Sequence, residues 1–427
     1  MTNTTLWQRR EKALGPTYYH FYDEPLNLVK GEGVWLYDEE GKKYLDCYNN
    51  VASVGHCNPR VVDALCTQAS LLNTHTRYIH ENVVTLAEKL TSKFSPKLDT
   101  CIFVCTGTEA NDVALQMARV VTGNEGAIVT DAAYHGNSTV IGAMGQERKN
   151  VAKPNWLETI EPPNRYRGPH APDDALDEFY ADEVDHAVDR LAENDISLAA
   201  IMLDVSFDSN GFLIPPDGYL PLVEKKVRAA GGLVICDEVQ AGYCRMGDNW
   251  WGFERYGLEP DIVTIGKPMG AGHPIAAVIT TREIASKFSE IDSYFNTFGG
   301  NPVSAAVATA VIDEIDDRHL LQNVTEVGAY LEAGLVKLAE QYAFVGCLQG
   351  SGLFWGLDLV KDPVSKEPMT HDQLRHIVTL LKNEGVLMGS TGRYDNCLKI
   401  RPPLVFSREN ADQALAALEK VFSSISY

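Results

Sequence analysis

The chain is short of positive charge: 37 Lys and Arg stand against 58 Asp and Glu, a formal net charge of −21 over 427 residues. That imbalance excludes the contiguous basic face that nucleic acid or an anionic membrane surface requires. It also means that any anionic substrate must be captured by a local cluster of Arg, Lys or helix N-termini. No run of 18 apolar residues exists, and the opening stretch "MTNTTLWQRREKALG" lacks the apolar centre of a signal peptide, so a soluble cytoplasmic protein is expected. The nine cysteines form no CxxC pair; Cys101, Cys105 and Cys236 lie inside apolar runs and read as small buried hydrophobes, so no metal site is expected. No G-x-G-x-x-G follows a strand, and "GAGHPI" ends in Ile275 where a third glycine would belong, which argues against a nicotinamide-binding fold. Low-complexity tracts and repeats of 20 to 50 residues are missing as well.

What is present is a series of short apolar, β-rich runs: "CIFVC", "AIVT", "AAIML", "GLVIC", "DIVTI" and "IAAVIT". Segments of helical periodicity lie between most of them, such as "EANDVALQMARVV" and "LPLVEKKVRAAG", the latter ending on the glycine expected after a helix. Continuous apolar strands alternating with helices imply an α/β fold with a mostly parallel sheet covered on both faces. The ends read differently. Residues 31–48 alternate like an antiparallel hairpin turning at "DEEGKK", and the last hundred residues hold helices near 303–316, 324–341 and 408–424 with a strand "GLFWGLDLV". The expected division is an N-terminal segment, 1–60, a large domain, 61–302, and a C-terminal region, 303–427, both ends joining in a smaller α+β domain.

Ligands of such sheets bind beyond the C-terminal ends of the strands, so the residues that directly follow a strand carry the argument. After "CIFVC", Thr106, Gly107 and Thr108 open a helix, with free N–H groups that suit a phosphate; a plain N-cap at Thr108 is the alternative. After "GLVIC", Asp237 is buried at a strand end and requires a cation, either a protonated ring nitrogen or a protein arginine. Tyr134, in "YHG", offers a face for stacking on a flat ligand or for packing. Lys267, directly after "DIVTIG", would lose solvation and pKa there, which suits Schiff-base formation; a phosphate-binding or snorkelling lysine is the alternative. Together the four describe one ligand, a phosphorylated aromatic nitrogen-containing aldehyde, and pyridoxal 5'-phosphate meets each demand.

The motifs "TGTEANDVAL", "YHG", "DEVQAGYCRMG", "GKPMGAGHP", "TFGGNP" and "LKIRPPL" occur in the order of the class III aminotransferases, and the chain resembles that family over nearly its whole length. The resemblance implies the fold type I architecture of pyridoxal phosphate enzymes. It makes Lys267 the Schiff-base lysine and proton shuttle and Asp237 the partner of the pyridine nitrogen. Gln240 would contact the ring hydroxyl, Tyr134 would stack on the ring beside His135, and Gly107 with Thr108 would hold the phosphate. Thr297 would reach the phosphate of a neighbouring subunit, implying a homodimer with shared sites, and Arg401 would be the carboxylate-binding arginine. Within the class, "NNVASVGHCNP", "TRYIHENVV", "YRGPH" and "FNTFGGNPVS" are similar to the phospho-lyase branch, which acts on O-phosphoethanolamine or 5-phosphohydroxylysine. Arg401 stands where animal phospho-lyases carry lysine, and Asp204 replaces the more usual glutamate. The implied activity is elimination of phosphate from an O-phosphorylated amine, with an omega-type transaminase using a keto acid such as pyruvate as the alternative. Arg77, Arg401 and the segment around Tyr18 and Tyr19 are candidates for the substrate phosphate, with Asn50 near the substrate.

Overall fold

The computed structural model describes residues 3–18, 20–145, 152–168, 175–291 and 294–425. Tyr19 lies outside them. The N-terminal part forms β1 (Leu28–Glu32), β2 (Trp35–Asp38) and β3 (Lys43–Asp46), an antiparallel meander. The central part supplies β4 (Thr100–Val104), β5 (Gly126–Thr130), β6 (Leu157–Ile160), β7 (Leu198–Leu203), β8 (Leu233–Asp237), β9 (Ile262–Ile265) and β10 (Ala276–Thr280). The C-terminal part adds β11 (Val345–Ser351), β12 (Phe354–Asp362), β13 (Glu367–Pro368), β14 (Val386–Leu387), β15 (Gly389–Thr391) and β16 (Cys397–Ile400).

The seven central strands make one sheet in the order β4-β10-β9-β8-β7-β5-β6. β10 runs antiparallel to both of its neighbours, so the other six point the same way. Every residue of β5, β7 and β10 is buried, which is why these strands read as unbroken apolar runs. Helices Gly107–Thr122 and Arg282–Ile291 cover one face through Val113, Met117, Ile284 and Phe288. The other face belongs to a larger core, which includes Tyr180, Val184, Leu220 and Val223 of helices Leu176–Ala192 and Tyr219–Ala229. β14 pairs in parallel with β3, so the two chain ends share a sheet, and β11, β12, β16 and β15 form another beside it.

One loop is built to be rigid. Tyr243 and Cys244 both take left-handed backbone, and the buried Trp251 stacks on Phe94 at 4.1 Å while its indole N–H donates to the Lys93 carbonyl at 2.7 Å. That loop carries Gln240 and Arg245 towards the C-terminal sheet. The cysteines divide by environment: Cys47, Cys236, Cys244 and Cys397 are buried, whereas Cys57 and Cys66 are exposed on either side of the start of helix Pro59–Ala69, so the buried-hydrophobe expectation does not extend to those two.

Candidate active site

Because six strands share one direction, their C-terminal ends deliver their following residues to one edge. Helix Gly107–Thr122 begins just after β4. Its N-cap is Thr106, whose hydroxyl accepts the Glu109 N–H at 3.2 Å, so Thr108 lies inside the first turn and is not the cap. The first-turn N–H groups of Gly107 and Thr108 have no intrahelical acceptor and carry the positive end of the helix dipole. Close packing allows little else here. A Cβ at Gly107 would meet Val239 at 2.9 Å, and one at Gly136, where φ is +144°, would meet the Thr108 hydroxyl at 2.7 Å. Gly107, Thr108, Asn111, Tyr134, His135 and Gly136 line a cavity of about 180 Å³ together with Asp204, Asp237, Val239, Gln240 and Lys267.

Asp237 is buried at the end of β8 with both oxygens engaged. Oδ2 accepts from Asn111 Nδ2 at 2.9 Å and faces His135 Nδ1 at 2.8 Å; Oδ1 accepts from the Val239 N–H at 3.0 Å. Asn111 in turn donates to the His135 carbonyl at 2.7 Å and accepts from the Thr264 hydroxyl at 2.6 Å. A chain of buried groups from β9, the helix and the 131–136 loop therefore holds one carboxylate in place. Across the cavity, Lys267 follows β9 and Gly266. Burial lowers its pKa from the ordinary lysine value, and the Arg401 cation lowers it further, against the pull of Asp237, Asp208 and Asp204. Asp204 follows β7; burial, with the neighbouring Asp208 and Asp237 charges, raises its carboxyl to about 6.

Behind Gln240 lies a second polar layer, nearly all of it buried. Arg401 donates from NH1 to Gln240 Oε1 and from Nε to the Tyr48 carbonyl at 3.1 Å. Asn50 Nδ2 also donates to Gln240 Oε1, at 3.2 Å, and Gln240 Nε2 donates to Asp208 Oδ2 at 2.9 Å. Lys399 Nζ sits 2.7 Å from Asp208 Oδ1. Burial and the like charge of Arg401 bring Lys399 down to about 8. Arg245 is brought down to about 9 by the same two causes, and its NH2 has no hydrogen-bond partner among the described residues.

The structure thus gathers Gly107, Thr108, Tyr134, His135, Asp237, Gln240 and Lys267 around one cavity, with Asn50 and Arg401 joined to it through Gln240. Arg77 and Thr297 do not line it. Arg77 lies over the Phe295 ring at 3.9 Å on an exposed surface, and Thr297 is exposed on the same side of the molecule. Sequence reasoning missed Asn111, Thr264, Val239, Asp208 and Lys399. The available signal for Asn111 was a polar residue on the apolar stripe of its helix. The residues present fit a phosphorylated pyridine aldehyde: a glycine-bounded helix N-terminus for the phosphate, a buried carboxylate for a ring nitrogen, an aliphatic Val239 and an aromatic Tyr134 lining the same cavity, and a lysine of lowered pKa.

The chain matches the family model described as aminotransferase class-III over residues 18–422 and belongs to that family. Its fold is the fold type I architecture of that class, and its cofactor is pyridoxal phosphate. It is 38% identical to an alanine–glyoxylate aminotransferase 2-like protein of Drosophila melanogaster, over 100% of this chain and 88% of that one. It is 36% identical to an ethanolamine-phosphate phospho-lyase homolog of Caenorhabditis elegans, over 97% and 92%. A solved phospholyase from Arthrobacter in complex with phosphoethanolamine superposes with a TM-score of 0.95 at 40% identity, covering 99% of this chain and 100% of that one.

Proposed function

We propose that the protein is a pyridoxal phosphate-dependent phospho-lyase acting on an O-phosphorylated amine of the O-phosphoethanolamine type. The observation that carries this reading is the full-length likeness to a phospholyase holding phosphoethanolamine, in a chain that keeps Lys267 and Asp237 across one cavity. In balanced form, O-phosphoethanolamine and one water become acetaldehyde, ammonia and inorganic phosphate. Pyridoxal phosphate supplies an aldehyde that condenses with amines and a ring that takes up the electron pair released beside the nitrogen.

The chain's residues divide the remaining work. Gly107 and Thr108 hold the cofactor phosphate with backbone N–H groups. Asp237, fixed by Asn111, His135 and Val239, keeps a proton on the ring nitrogen. Lys267, its pKa lowered by burial, is the cavity-lining amine that takes the proton from the carbon bearing the substrate nitrogen. The departing phosphate needs cations, and Arg401 is tied to the cavity-lining Gln240. Steady release of phosphate and acetaldehyde in equal amounts from O-phosphoethanolamine tests the proposal; a substrate left intact overturns it.

A transaminase would share the first proton transfer, and buried Arg401 is the feature that favours it as an anchor for a keto-acid carboxylate. Such a carboxylate has to displace the Gln240 carbonyl from Arg401 NH1. The proposal includes a homodimer: the exposed Phe295 and Phe298 flank Thr297 in sequence, Phe295 meets His75 edge-on, His75 stacks on the exposed Tyr78, and Ile79 is 98% exposed, an apolar surface that a second subunit would cover. Light scattering at assay concentration checks this, with a monomeric mass contradicting it. A cytoplasmic location is likewise part of the proposal; no helix among the described residues is long and apolar enough to cross a membrane.

A further inference from the structure

The polar layer behind the cavity has a definite polarity. Arg245 Nε donates to Asn50 Oδ1 at 3.1 Å, Asn50 Nδ2 donates to Gln240 Oε1, Arg401 donates to the same oxygen, and Gln240 Nε2 donates to Asp208 Oδ2. Arginine cannot accept a hydrogen bond and an ionised carboxylate cannot donate one, so the two ends of this chain fix both amides between them. Turning the Gln240 amide over would set its NH2 against two donors and its oxygen against a carboxylate. Asp208 is a well-held terminus. Its N–H donates to Asp204 Oδ2 at 3.0 Å, its carbonyl accepts the Thr391 hydroxyl at 2.8 Å, and it follows Phe207, whose φ is +47°. Burial works against its ionisation, but the Lys399 and Arg401 charges outweigh burial and hold its carboxyl below the ordinary value.

We infer that Asp208 is a positioning residue for this active site: through Gln240 Nε2 it commits that amide to present its second N–H, and never its carbonyl oxygen, to the cofactor cavity. Lys399 is the counter-ion that lets the carboxylate stay buried there. The inference rests on the cofactor reading above, because it is the hydroxyl oxygen carried on the ring of a bound pyridine aldehyde that would receive the N–H. It adds a residue that does not line the cavity and that acts only through another side chain.

The test is a double-mutant cycle on cofactor affinity, read by titrating apoenzyme with pyridoxal phosphate and following its visible absorption. Asp208→Asn, which can offer Gln240 either an oxygen or an NH2, should raise the dissociation constant roughly fivefold, the value of one ordinary hydrogen bond. In a Gln240→Ala background the same substitution should loosen nothing further. Equal loosening by Asp208→Asn in both backgrounds, or none in either, overturns the inference. Since Asp208→Asn strands the Lys399 ammonium, the cycle is repeated with Lys399→Met added, which removes the buried charge; the dependence on Gln240 should persist. Wild-type apoenzyme that takes up no pyridoxal phosphate would overturn the underlying site reading instead, and is recognised before any variant is compared.

Discussion

Replacing Asn111 by alanine removes one of the three groups that tie the cavity's carboxylate to the rest of the fold. Its side chain gives Asp237 a charge-assisted hydrogen bond at 2.9 Å, donates to the His135 carbonyl and accepts from Thr264, all away from solvent. A bond to a charged group contributes about 2 kcal/mol and a neutral one about 1 kcal/mol. Alanine returns about 0.6 kcal/mol in helix propensity, leaving a net loss of about 3 kcal/mol. For a chain of this length that lowers the melting temperature of the apoenzyme by about 3 °C. Asn111→Asp preserves shape but sets a second carboxylate against Asp237, so it should cost more than alanine. Differential scanning calorimetry of the three apoenzymes measures this. An alanine variant that melts with the wild type, or an aspartate variant no less stable than the alanine one, would refute the reasoning.

Lys267→Ala should abolish turnover and the visible absorption of lysine-linked cofactor while leaving the far-ultraviolet circular dichroism unchanged; retained activity would contradict its role. Asp204→Asn probes a raised carboxyl. Because the folded value of about 6 lies above the ordinary 3.8, the stability contributed by Asp204 is complete below the lower figure and is lost as pH climbs through the higher one. The variant's melting temperature relative to wild type should therefore rise across that window, and a difference independent of pH counts against the shift. Gly136→Ala would drive a Cβ into Thr108, 2.7 Å from its hydroxyl and 3.0 Å from its Cα, in a left-handed backbone. It should weaken pyridoxal phosphate binding at least about tenfold through the displaced first turn, a value in the range of overpacking costs; unchanged affinity in an apoenzyme titration would show that the cradle yields freely.

The sheet was legible because its strands are buried on both faces, and "AIVT", "AAIML" and "DIVTI" correspond to β5, β7 and β9 within a residue or two. β6 escaped because "LETI" is short, polar at its two central positions and flanked by Pro154 and Pro162. The reversed direction of β10 has no signature in an apolar run, which reads the same both ways. At the site, residues directly after strands could be named in advance: Thr108, Asp237 and Lys267 meet around one cavity. Those missed act from positions with no local mark. Asn111 hides in a helix read for its alanines and valines, Lys399 alternates within a strand, and Asp208 depends on the left-handed Phe207 before it. The carboxylate that Asn111 holds is 126 residues away in sequence and the one that Lys399 pairs with is 191 away, so only the fold reveals them.

The most direct test of the account is continuous measurement of inorganic phosphate from O-phosphoethanolamine and purified holoenzyme, with no keto acid present. Sustained release over many turnovers, unchanged when pyruvate is added, is the predicted result. A silent phosphate signal, together with an amine donor that converts the cofactor once and needs pyruvate to restore it, would contradict the account and make the enzyme a transaminase.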